Sequence, residues 1–360
     1  MCTFKKTSEI IADFCVCLYR IRNLVVMIKE LRISNLGPIK SMSVSNLHNI
    51  NLLIGPNQSG KTFLLKALFS ALKTVEQFHR GKDNRSDREI LSDKIYWTFQ
   101  VSQLGNIVRK GGDTFKFTML SDDGESFTYS SGQSAVKYAT IEQNTFRQKE
   151  SNSIFIPAKE VISIKDIILE SRDSRSEFGF EDPYYDLAKA LNKTLKGRNF
   201  SAFSNARHNV TEMIGGRLEY SQQKKEWLFR DSNRKVYDIA STSEGVKKLS
   251  VLDLLLGNRY LDNHSIVIID EVEANLHPSL ILRYLQTLLM LSKAGVQFFI
   301  SSHSYFVIKY LYVIAHKEHL NIPVLSFENG TCTISDLMTE MPRNPIVDES
   351  IKLYKEEIGL

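Results

Sequence analysis

Alternating apolar and polar residues characterise the first well-patterned part of this chain. From Met27 to Asn57 the sequence MIKELRISNLGPIKSMSVSNLHNINLLIGPN alternates in short runs and ends at a glycine-containing loop, which predicts strands leading directly into that loop. The run INLLI at Ile50–Ile54 is short and wholly apolar, as expected for a strand buried on both faces of a parallel sheet. From Thr62 to Val75 the apolar spacing becomes helical. The predicted order is therefore strand, loop and helix.

The segment from residue 90 to residue 140 contains three more alternating runs, IYWTFQV, FKFTML and SFTYS. They are separated by the turn signals Gly111-Gly112 and Asp122-Asp123-Gly124, and the pattern predicts an antiparallel sheet. SIFI at Ser153–Ile156 predicts another core strand. The following residues, up to about 235, are polar and mixed with helical spacing at first, and we interpret them as an insertion.

Two further apolar runs, at Ile266–Ile269 and Gln297–Ser301, predict buried strands. The amphipathic segment Leu280–Lys293 between them predicts a helix that ends at Gly295. Strand, helix and strand in this order predict a right-handed βαβ unit. The chain is therefore expected to have an α/β fold, and it shows neither sustained heptads nor an internal repeat.

Composition restricts the class of protein without identifying its function. The chain has 360 residues, of which 42% are hydrophobic and 24% charged, so we expect one main globular domain with a large insertion. The four cysteines form no CxxC pair, which favours reduced thiols. No apolar run reaches the roughly 18–20 residues that span a bilayer, and Asp13 interrupts the early stretch Ile10–Leu18. We expect a cytoplasmic protein with no membrane partner.

A phosphate-binding loop is the strongest chemical signal. The motif GxxxxGK[ST] is satisfied by Gly55, Pro56, Asn57, Gln58, Ser59, Gly60, Lys61 and Thr62. The glycines allow backbone N–H groups to converge on phosphate oxygens, Lys61 is suited to neutralising the β and γ phosphates, and Thr62 to ligating Mg²⁺. An accidental glycine turn is the alternative, but the strand before the loop and the helix after it disfavour that interpretation. The sequence therefore predicts binding of ATP with Mg²⁺.

Acidic residues at the end of a predicted strand supply the other half of this chemistry. Asp270 and Glu271 follow the apolar run SIVII, and adjacent side chains of a strand point to opposite faces, so their roles must differ. Asp270 is suited to the magnesium shell and Glu271 to polarising the attacking water. His303 follows the next predicted strand, where phosphates lie in doubly wound sheets. A solvated strand end and a structural histidine are the alternatives.

A polar turn precedes a strongly apolar helix between these two motifs. Ser243 can cap that helix, and Gly245 follows in its first turn, which leaves free N–H groups and a hydroxyl facing outward. An ordinary helix cap is the alternative interpretation. The position between the two motifs favours contact with the γ-phosphate of another subunit.

Taken in order, these motifs resemble the ABC-type ATPase heads of the RecF, SMC and OLD group. GPNQSGKT resembles their Walker A motif, TSEGV a degenerate LSGGQ signature, IIDEVEANLHP their Walker B motif with D-loop, and ISSHS their switch-histidine loop. The resemblance extends from residue 27 to about residue 315. It implies an α/β P-loop NTPase fold with an antiparallel β subdomain and a helical insertion.

The resemblance also implies an activity and a dimer. Such heads hydrolyse ATP, and here Glu271 and His303 would be the catalytic residues. They form head-to-tail homodimers that sandwich two ATP molecules, with Ser243 and Gly245 acting across the interface. Several relatives serve phage defence, among them OLD-like nucleases, Septu ATPases and retron-associated ATPases.

Some positions depart from the pattern of these relatives. Val272 stands where the family usually has proline, and Asn275-Leu276-His277 replaces the transporter-type ending, which disfavours a transport ATPase. The Q-loop glutamine is not assigned, and Lys159 or Glu160 are weak candidates. OLD-like enzymes continue into a Toprim nuclease, whereas only about 57 residues follow His303 here, without an acidic metal cluster. An effector is therefore expected to act in trans.

The motif order predicts four segments. Residues 1–26 form an N-terminal extension, either an accessory helix or, as we slightly favour, sequence upstream of the true start. Residues 27–158 form an ATPase N-lobe with Walker A and the antiparallel β subdomain. Residues 159–240 form the insertion, and residues 241–360 a C-lobe with signature, Walker B and switch-histidine loop. Two hypotheses follow: an ATP-dependent switch for an effector in phage defence or nucleic-acid metabolism, or a RecF-like DNA-binding clamp in replication or repair.

Positive charge is concentrated in one part of the insertion. The formal net charge of the chain is +5, and the stretch from Lys193 to Lys235 has ten basic residues against four acidic ones. Phe200, Phe203 and Trp227 interleave with these charges and are candidates for stacking on bases. A solvated basic face and a nucleic-acid surface are about equally supported, because no specific recognition motif is present.

Overall fold

The computed structural model describes residues 27–147, 149, 151–193, 201–224 and 226–359. The expected extension at residues 1–26 lies outside them, as do Lys196, Arg198, Phe200 and Lys225 of the basic stretch. The described strands are β1 (Ile28–Leu36), β2 (Ile39–Val44), β3 (Ile50–Ile54), β4 (Thr114–Ser121), β5 (Ser126–Gly132), β6 (Thr140–Asn144), β7 (Ser153–Ile156), β8 (Gly216–Ser221), β9 (Glu226–Asp231), β10 (Val236–Asp238), β11 (Ile266–Ile269), β12 (Gln297–Ser302), β13 (Pro323–Glu328) and β14 (Thr331–Asp336).

The described helices are α1 (Lys61–Gln77), α2 (Asp87–Phe99), α3 (Lys165–Asp173), α4 (Asp182–Leu191), α5 (Ser201–Ile214), α6 (Glu244–Gly257), α7 (Pro278–Lys293), α8 (Tyr305–Glu318) and α9 (Pro345–Glu357). Within the described ranges, none of these helices combines the length and the apolar composition needed to cross a membrane.

A large mixed sheet organises the described part of the chain. Its eleven strands are hydrogen-bonded in the order β6-β5-β4-β1-β2-β14-β13-β3-β12-β11-β7. β3 lies between β13 and β12 and is parallel to both, and β11 and β7 continue the parallel part. All residues of β3 are buried, which confirms the buried parallel strand predicted at Ile50–Ile54. β11 and β12 are adjacent and parallel, as expected for a βαβ unit joined by α7.

Alternate residues of these parallel strands point into two different cores. Leu52 of β3 and Phe298 of β12 pack in a cluster with residues of α6, α7 and α8. Their neighbours Leu53 and Phe299 pack in a second cluster with the apolar face of α1. Burial on both faces requires a nearly continuous apolar sequence, which explains INLLI and IVII. Charged side chains are consequently placed beyond the ends of these strands, where the loops begin.

The strand predicted for IYWTFQV is wrong, because these residues belong mainly to helix α2. The helix begins with a capping box in which Ser86 Oγ accepts the N–H of Glu89 at 3.3 Å and the Glu89 carboxylate accepts the N–H of Ser86 at 2.9 Å. Buried Ile90, Leu91 and Ile95 then follow at helical spacing. The other two runs form β4 and β5, which pair antiparallel as predicted.

The insertion begins with helices, as predicted, and ends in a separate small sheet. Helices α3, α4 and α5 precede the antiparallel strands β8, β9 and β10. The large sheet joins both predicted lobes, since β3 is hydrogen-bonded to β12 and β13. The lobe boundaries themselves stay a prediction.

A buried carboxylate fixes the start of α4 against two neighbouring helices. Asp182 accepts hydrogen bonds from Lys94 Nζ of α2 at 2.8 Å and from Arg172 Nη2 of α3 at 2.9 Å. Its side chain is 1% exposed, so the carboxylate depends on these two cations for its solvation. The Arg172 guanidinium also lies 3.4 Å from the centroid of the Trp97 ring. The contacts fix the start of α4, where Glu181 and Tyr184 line the cleft described below.

We predict that Asp182→Ala lowers the free energy of unfolding by about 3–5 kcal/mol, because it leaves Lys94 and Arg172 partly buried without their counter-charge. Urea unfolding followed by tryptophan fluorescence measures the loss, since Trp97 lies at the affected contact. Glu170→Ala is the matched control, because it removes an exposed ion pair with Arg175 and should cost about 0–1 kcal/mol. Equal stability losses in the two variants would contradict the role assigned to Asp182.

Candidate functional site

The loop from Gly55 to Thr62 connects β3 to α1 and has the conformation that its two glycines allow. Gly55 and Gly60 have φ values of 146° and 110°, in a region that side chains disfavour. A Cβ on Gly55 would lie 2.4 Å from the carbonyl oxygen of Phe327, and one on Gly60 would lie 2.5 Å from Ile39 Cγ1. The backbone therefore makes a tight turn before α1, and the N–H groups of the first helical turn face an incoming anion.

The side chain of Lys61, the lysine of this loop, is buried and folds back over the loop. Lys61 is 4% exposed, and its Nζ donates to the carbonyl oxygens of Gly55 at 2.7 Å and Pro56 at 2.9 Å. Burial lowers the pKa of Lys61 to about 8, although the negative charges of Asp270, Glu271 and Glu273 oppose that shift. A phosphate at the loop would supply a closer counter-charge and favour the charged ammonium.

A hydroxyl and a carboxylate meet beside the loop, where β11 ends. Thr62 Oγ1 lies 3.2 Å from Asp270 Oδ2, and Ser301 Oγ of β12 donates to Asp270 Oδ1 at 2.5 Å. Hydroxyl and carboxylate oxygens are the hard ligands that Mg²⁺ prefers. The residues present therefore fit a magnesium ion, which Thr62 and Asp270 would hold.

Glu271 and His303 lie together next to Asp270. His303 Nε2 is 3.7 Å from Glu271 Oε1, and the Glu271 side chain is 44% exposed, so water can reach it. The backbone of Glu271 has a φ of 50°, and its N–H donates to Ser301 Oγ at 2.8 Å. A left-handed conformation at a residue other than glycine requires support from its surroundings. The Ser301 hydroxyl gives part of it, because it bonds both Asp270 and Glu271.

Two polar residues that the sequence analysis missed support the same corner. Glu273 Oε1 accepts the backbone N–H of His303 at 2.7 Å, which fixes the loop after β12. Lys248 of α6 is 3% exposed, and its Nζ donates to the carbonyl oxygen of Glu271 at 2.5 Å. Burial lowers the pKa of Lys248 to about 8 against the opposing charges of Glu273, Glu271 and Asp270. The sequence signal for this contact is weak, because Lys248 is one of several charged residues of α6.

Ser243 and Gly245 lie at the N-terminus of α6, as predicted. Ser243 is exposed, and its Oγ accepts the N–H of Val246 at 3.4 Å as the helix cap. Gly245 is buried, and a Cβ there would lie 2.7 Å from the carbonyl oxygen of Asn275. Within the described residues, these contacts are with Val246 and Asn275 rather than with the loop at Gly55–Thr62. The glycine is thus required by packing within the chain, and the serine is accessible from outside.

A cleft of about 360 Å³ borders the acidic side of the site, between the end of β7 and the start of α4. Lys159 lines it, whereas Glu160 accepts the N–H of Ser163 at 3.1 Å. Glu181 and Tyr184, neither of which the sequence analysis identified, also line the cleft. Burial raises the pKa of Tyr184 to about 12, and the charges of Glu181, Asp270 and Glu271 add to this effect. Lys159 therefore lines the same cleft as Asp270 and Glu271, and its role as a Q-loop residue stays a prediction.

Comparisons with known proteins agree with this geometry. A family model described as "AAA domain, putative AbiEii toxin, Type IV TA system" matches residues 50–309. No protein of curated function matches the sequence. The crystal structure of an SMC head bound to the C-terminal winged-helix domain of ScpA has 13% identity and a TM-score of 0.51, with 86% of this chain and 97% of that chain covered.

Two more solved structures are similar over most of their length. The SMC head of Pyrococcus furiosus with an extended coiled coil, bound to the C-terminal domain of ScpA, has 11% identity and a TM-score of 0.52, with 91% of this chain and 98% of that chain covered. A structure of RecF with ATP has 14% identity and a TM-score of 0.48, with 86% and 98% covered. The family match includes every motif from the strand before Gly55 to the loop of His303. The chain therefore belongs to the AAA-domain family whose model it matches, and its fold is that of the SMC heads.

Proposed function

We propose that the protein binds ATP with Mg²⁺ at the loop of Gly55–Thr62, hydrolyses it, and acts through a head-to-tail homodimer. One observation is central to this proposal: the phosphate loop, the Thr62–Asp270 pair and the Glu271–His303 pair lie along the same edge of the parallel sheet. Phosphate binding, metal binding and water activation need these groups side by side.

Each group has a role that its position supports. Lys61 and the N–H groups at the start of α1 bind the β and γ phosphates. Thr62 and Asp270 would hold Mg²⁺, which would offset part of the phosphate charge. The Glu271 carboxylate orients the attacking water and accepts its proton. His303, whose ring lies beside that carboxylate, donates a hydrogen bond to the γ-phosphate.

The start of α6 supports a composite site. Ser243 is exposed at the positive end of a fourteen-residue helix, a position that favours an anion. The buried packing of Gly245 against Asn275 allows the helix end to lie close to the loop that follows β11. In the proposed dimer, Ser243 and Gly245 face the γ-phosphate bound by the partner subunit.

We further propose that this dimer is a cytoplasmic switch for an effector that acts in trans, in phage defence or nucleic-acid metabolism. The description of the family, which names a toxin of a toxin–antitoxin system, supports a role beside a second component. ATP binding and hydrolysis would give the switch its two states.

A RecF-like DNA-binding clamp is the second candidate, and the small sheet of the insertion gives it limited support. Arg234 and Lys235 are exposed between β9 and β10, near the exposed Tyr237. Much of the remaining charge is compensated, because Arg217 and Arg230 both pair with Glu219 and Lys224 pairs with Glu226. Phe203 is 1% exposed and belongs to the core, so the prediction that it stacks on bases is wrong.

Lys61→Ala should weaken ATP binding by roughly 10- to 100-fold, since it removes a charge-assisted contact of about 1.5–3 kcal/mol. Isothermal titration calorimetry with ATP and Mg²⁺ measures the change. Lys40→Ala, which removes an exposed lysine of β2, is the control and should bind ATP as the wild type does. Equal affinities of all three proteins would contradict the assignment of the phosphate loop.

Glu271→Gln should slow hydrolysis by roughly 100- to 10,000-fold and leave ATP binding intact, because it removes the base and retains the Thr62–Asp270 pair. An ATP-bound dimer should therefore accumulate in this variant, which size-exclusion chromatography with ATP and Mg²⁺ detects. A monomer under all conditions in both wild type and variant would argue against the composite site. If the protein is already oligomeric without ATP, ATP-dependent crosslinking between a cysteine introduced at Ser243 and one introduced at the exposed Asn57 of the phosphate loop replaces the chromatography.

The clamp hypothesis predicts that DNA affinity falls steeply with salt. Each lost phosphate contact should flatten the log–log slope by about 0.7–0.9. The quadruple replacement of Lys224, Lys225, Arg234 and Lys235 by alanine should therefore weaken binding and flatten the slope for duplex DNA, single-stranded DNA or RNA. The same affinity and slope in the variant would exclude this surface from nucleic-acid binding and favour the switch.

A further inference from the structure

Helix α6 makes a direct polar contact with the backbone of the proposed catalytic acid. Lys248 lies within α6, and its Nζ donates to the carbonyl oxygen of Glu271 at 2.5 Å. We propose that Lys248 is a positioning residue that couples the N-terminus of α6 to the hydrolytic geometry of Glu271. The proposal rests on the proposed function, because it concerns the same ATPase site and its dimer.

The backbone of Glu271 needs such a contact. Its φ of 50° is a conformation that residues other than glycine rarely adopt, and it persists where surrounding bonds determine it. Ser301 accepts hydrogen bonds from the backbone N–H groups of Glu271 and Val272. The Glu271 N–H donates to Ser301 Oγ at 2.8 Å, and the Val272 N–H donates to the Ser301 carbonyl oxygen at 3.1 Å. Lys248 binds the carbonyl of Glu271 from the opposite side of the peptide. Loss of this contact would allow the peptide to rotate and the carboxylate to move.

The same helix presents Ser243 to the outside. Ser243 caps α6, and Lys248 follows five residues later, about 7.5 Å along the helix axis. A hydrogen-bonded helix transmits displacement over so short a distance almost as a rigid body. Binding of the partner's nucleotide at Ser243 therefore changes the position of Lys248, and with it the carbonyl of Glu271 in the same chain.

The neighbouring lysine provides a comparison within the same helix. Lys247 is 4% exposed, but its Nζ pairs with Glu244 at 2.8 Å, on the first turn of α6. Both lysine side chains are thus buried. Lys247 Nζ bonds Glu244 of the same helix, whereas Lys248 Nζ bonds the carbonyl oxygen of Glu271. A difference in kcat between variants of Lys248 and Lys247 therefore distinguishes positioning of Glu271 from general stabilisation of the helix.

The test measures ATP turnover against ATP concentration for wild type, Lys248→Met, Lys248→Arg and Lys247→Met. Lys248→Met should lower kcat by roughly 10- to 100-fold, as a misplaced catalytic group does, with KM little changed. Lys248→Arg keeps a cationic donor and should recover part of kcat, and Lys247→Met should match wild type. ATP-dependent dimerisation should be unchanged when Lys248→Met is combined with Glu271→Gln. If Lys248→Met does not fold, Lys248→Gln, which keeps an N–H donor but has a shorter reach, replaces it with the same expected results.

A double-mutant cycle with Ser243→Ala tests the coupling itself. If Lys248 transmits the contact made at Ser243, the loss of kcat on Ser243→Ala should be smaller in the Lys248→Met background than in wild type. Additive effects of the two substitutions would overturn the coupling, as would wild-type kcat in Lys248→Met or an equal fall in Lys247→Met. If the wild-type protein binds ATP but does not hydrolyse it, the proposed function is overturned together with the role of Lys248. If the wild-type protein hydrolyses ATP and one of the three contrary results above is obtained, only the role of Lys248 is overturned.

Discussion

Burial of the parallel strands on both faces is the constraint from which the site follows. β3, β11 and β12 have apolar neighbours above and below the sheet, so charged side chains must lie beyond their ends. The pairing register brings these ends close together, because Ile54 of β3 pairs with Ser302 of β12 and Ile269 of β11 pairs with Ile300. The phosphate loop, the acidic pair and the histidine loop therefore begin at one edge of the sheet.

Charge balance at that edge supports the proposal that nucleotide and metal bind together. Lys61 and Lys248 are two buried ammonium groups, and burial lowers the pKa of each to about 8. Asp270, Glu271 and Glu273 are the carboxylates whose charges act on both lysines. A triphosphate alone would add negative charge to a corner where carboxylates already outnumber these two ammonium groups. A divalent cation held by Thr62 and Asp270 would compensate part of that charge.

The structure brings together residues that the sequence singled out, whereas one of the predicted elements around them is wrong. Strand ends, the glycines of the loop and the cap at Ser243 have local signals, because backbone conformation and helix capping depend on a few adjacent residues. At IYWTFQV the alternating aromatic residues predict a strand, whereas the capping box at Ser86 and Glu89 begins a helix that includes most of these residues. Lys248 and Tyr184 could not be assigned, since their contacts join segments far apart in the chain. No local sequence pattern indicates that β3 pairs with β12 and β13, which follow it by more than 240 residues.

The proposed switch needs an ATP-bound state whose lifetime depends on assembly, and the connection through α6 would meet that need. If the carbonyl of Glu271 is fixed only when α6 is correctly placed, an isolated subunit would bind nucleotide before its catalytic acid is aligned. Contact of the partner's nucleotide with Ser243 would then link alignment to dimer formation in both subunits at once. Binding energy from the interface would be used for catalytic geometry rather than for affinity alone. A partner protein that shifts α6 would therefore control the lifetime of the ATP-bound state without touching the nucleotide.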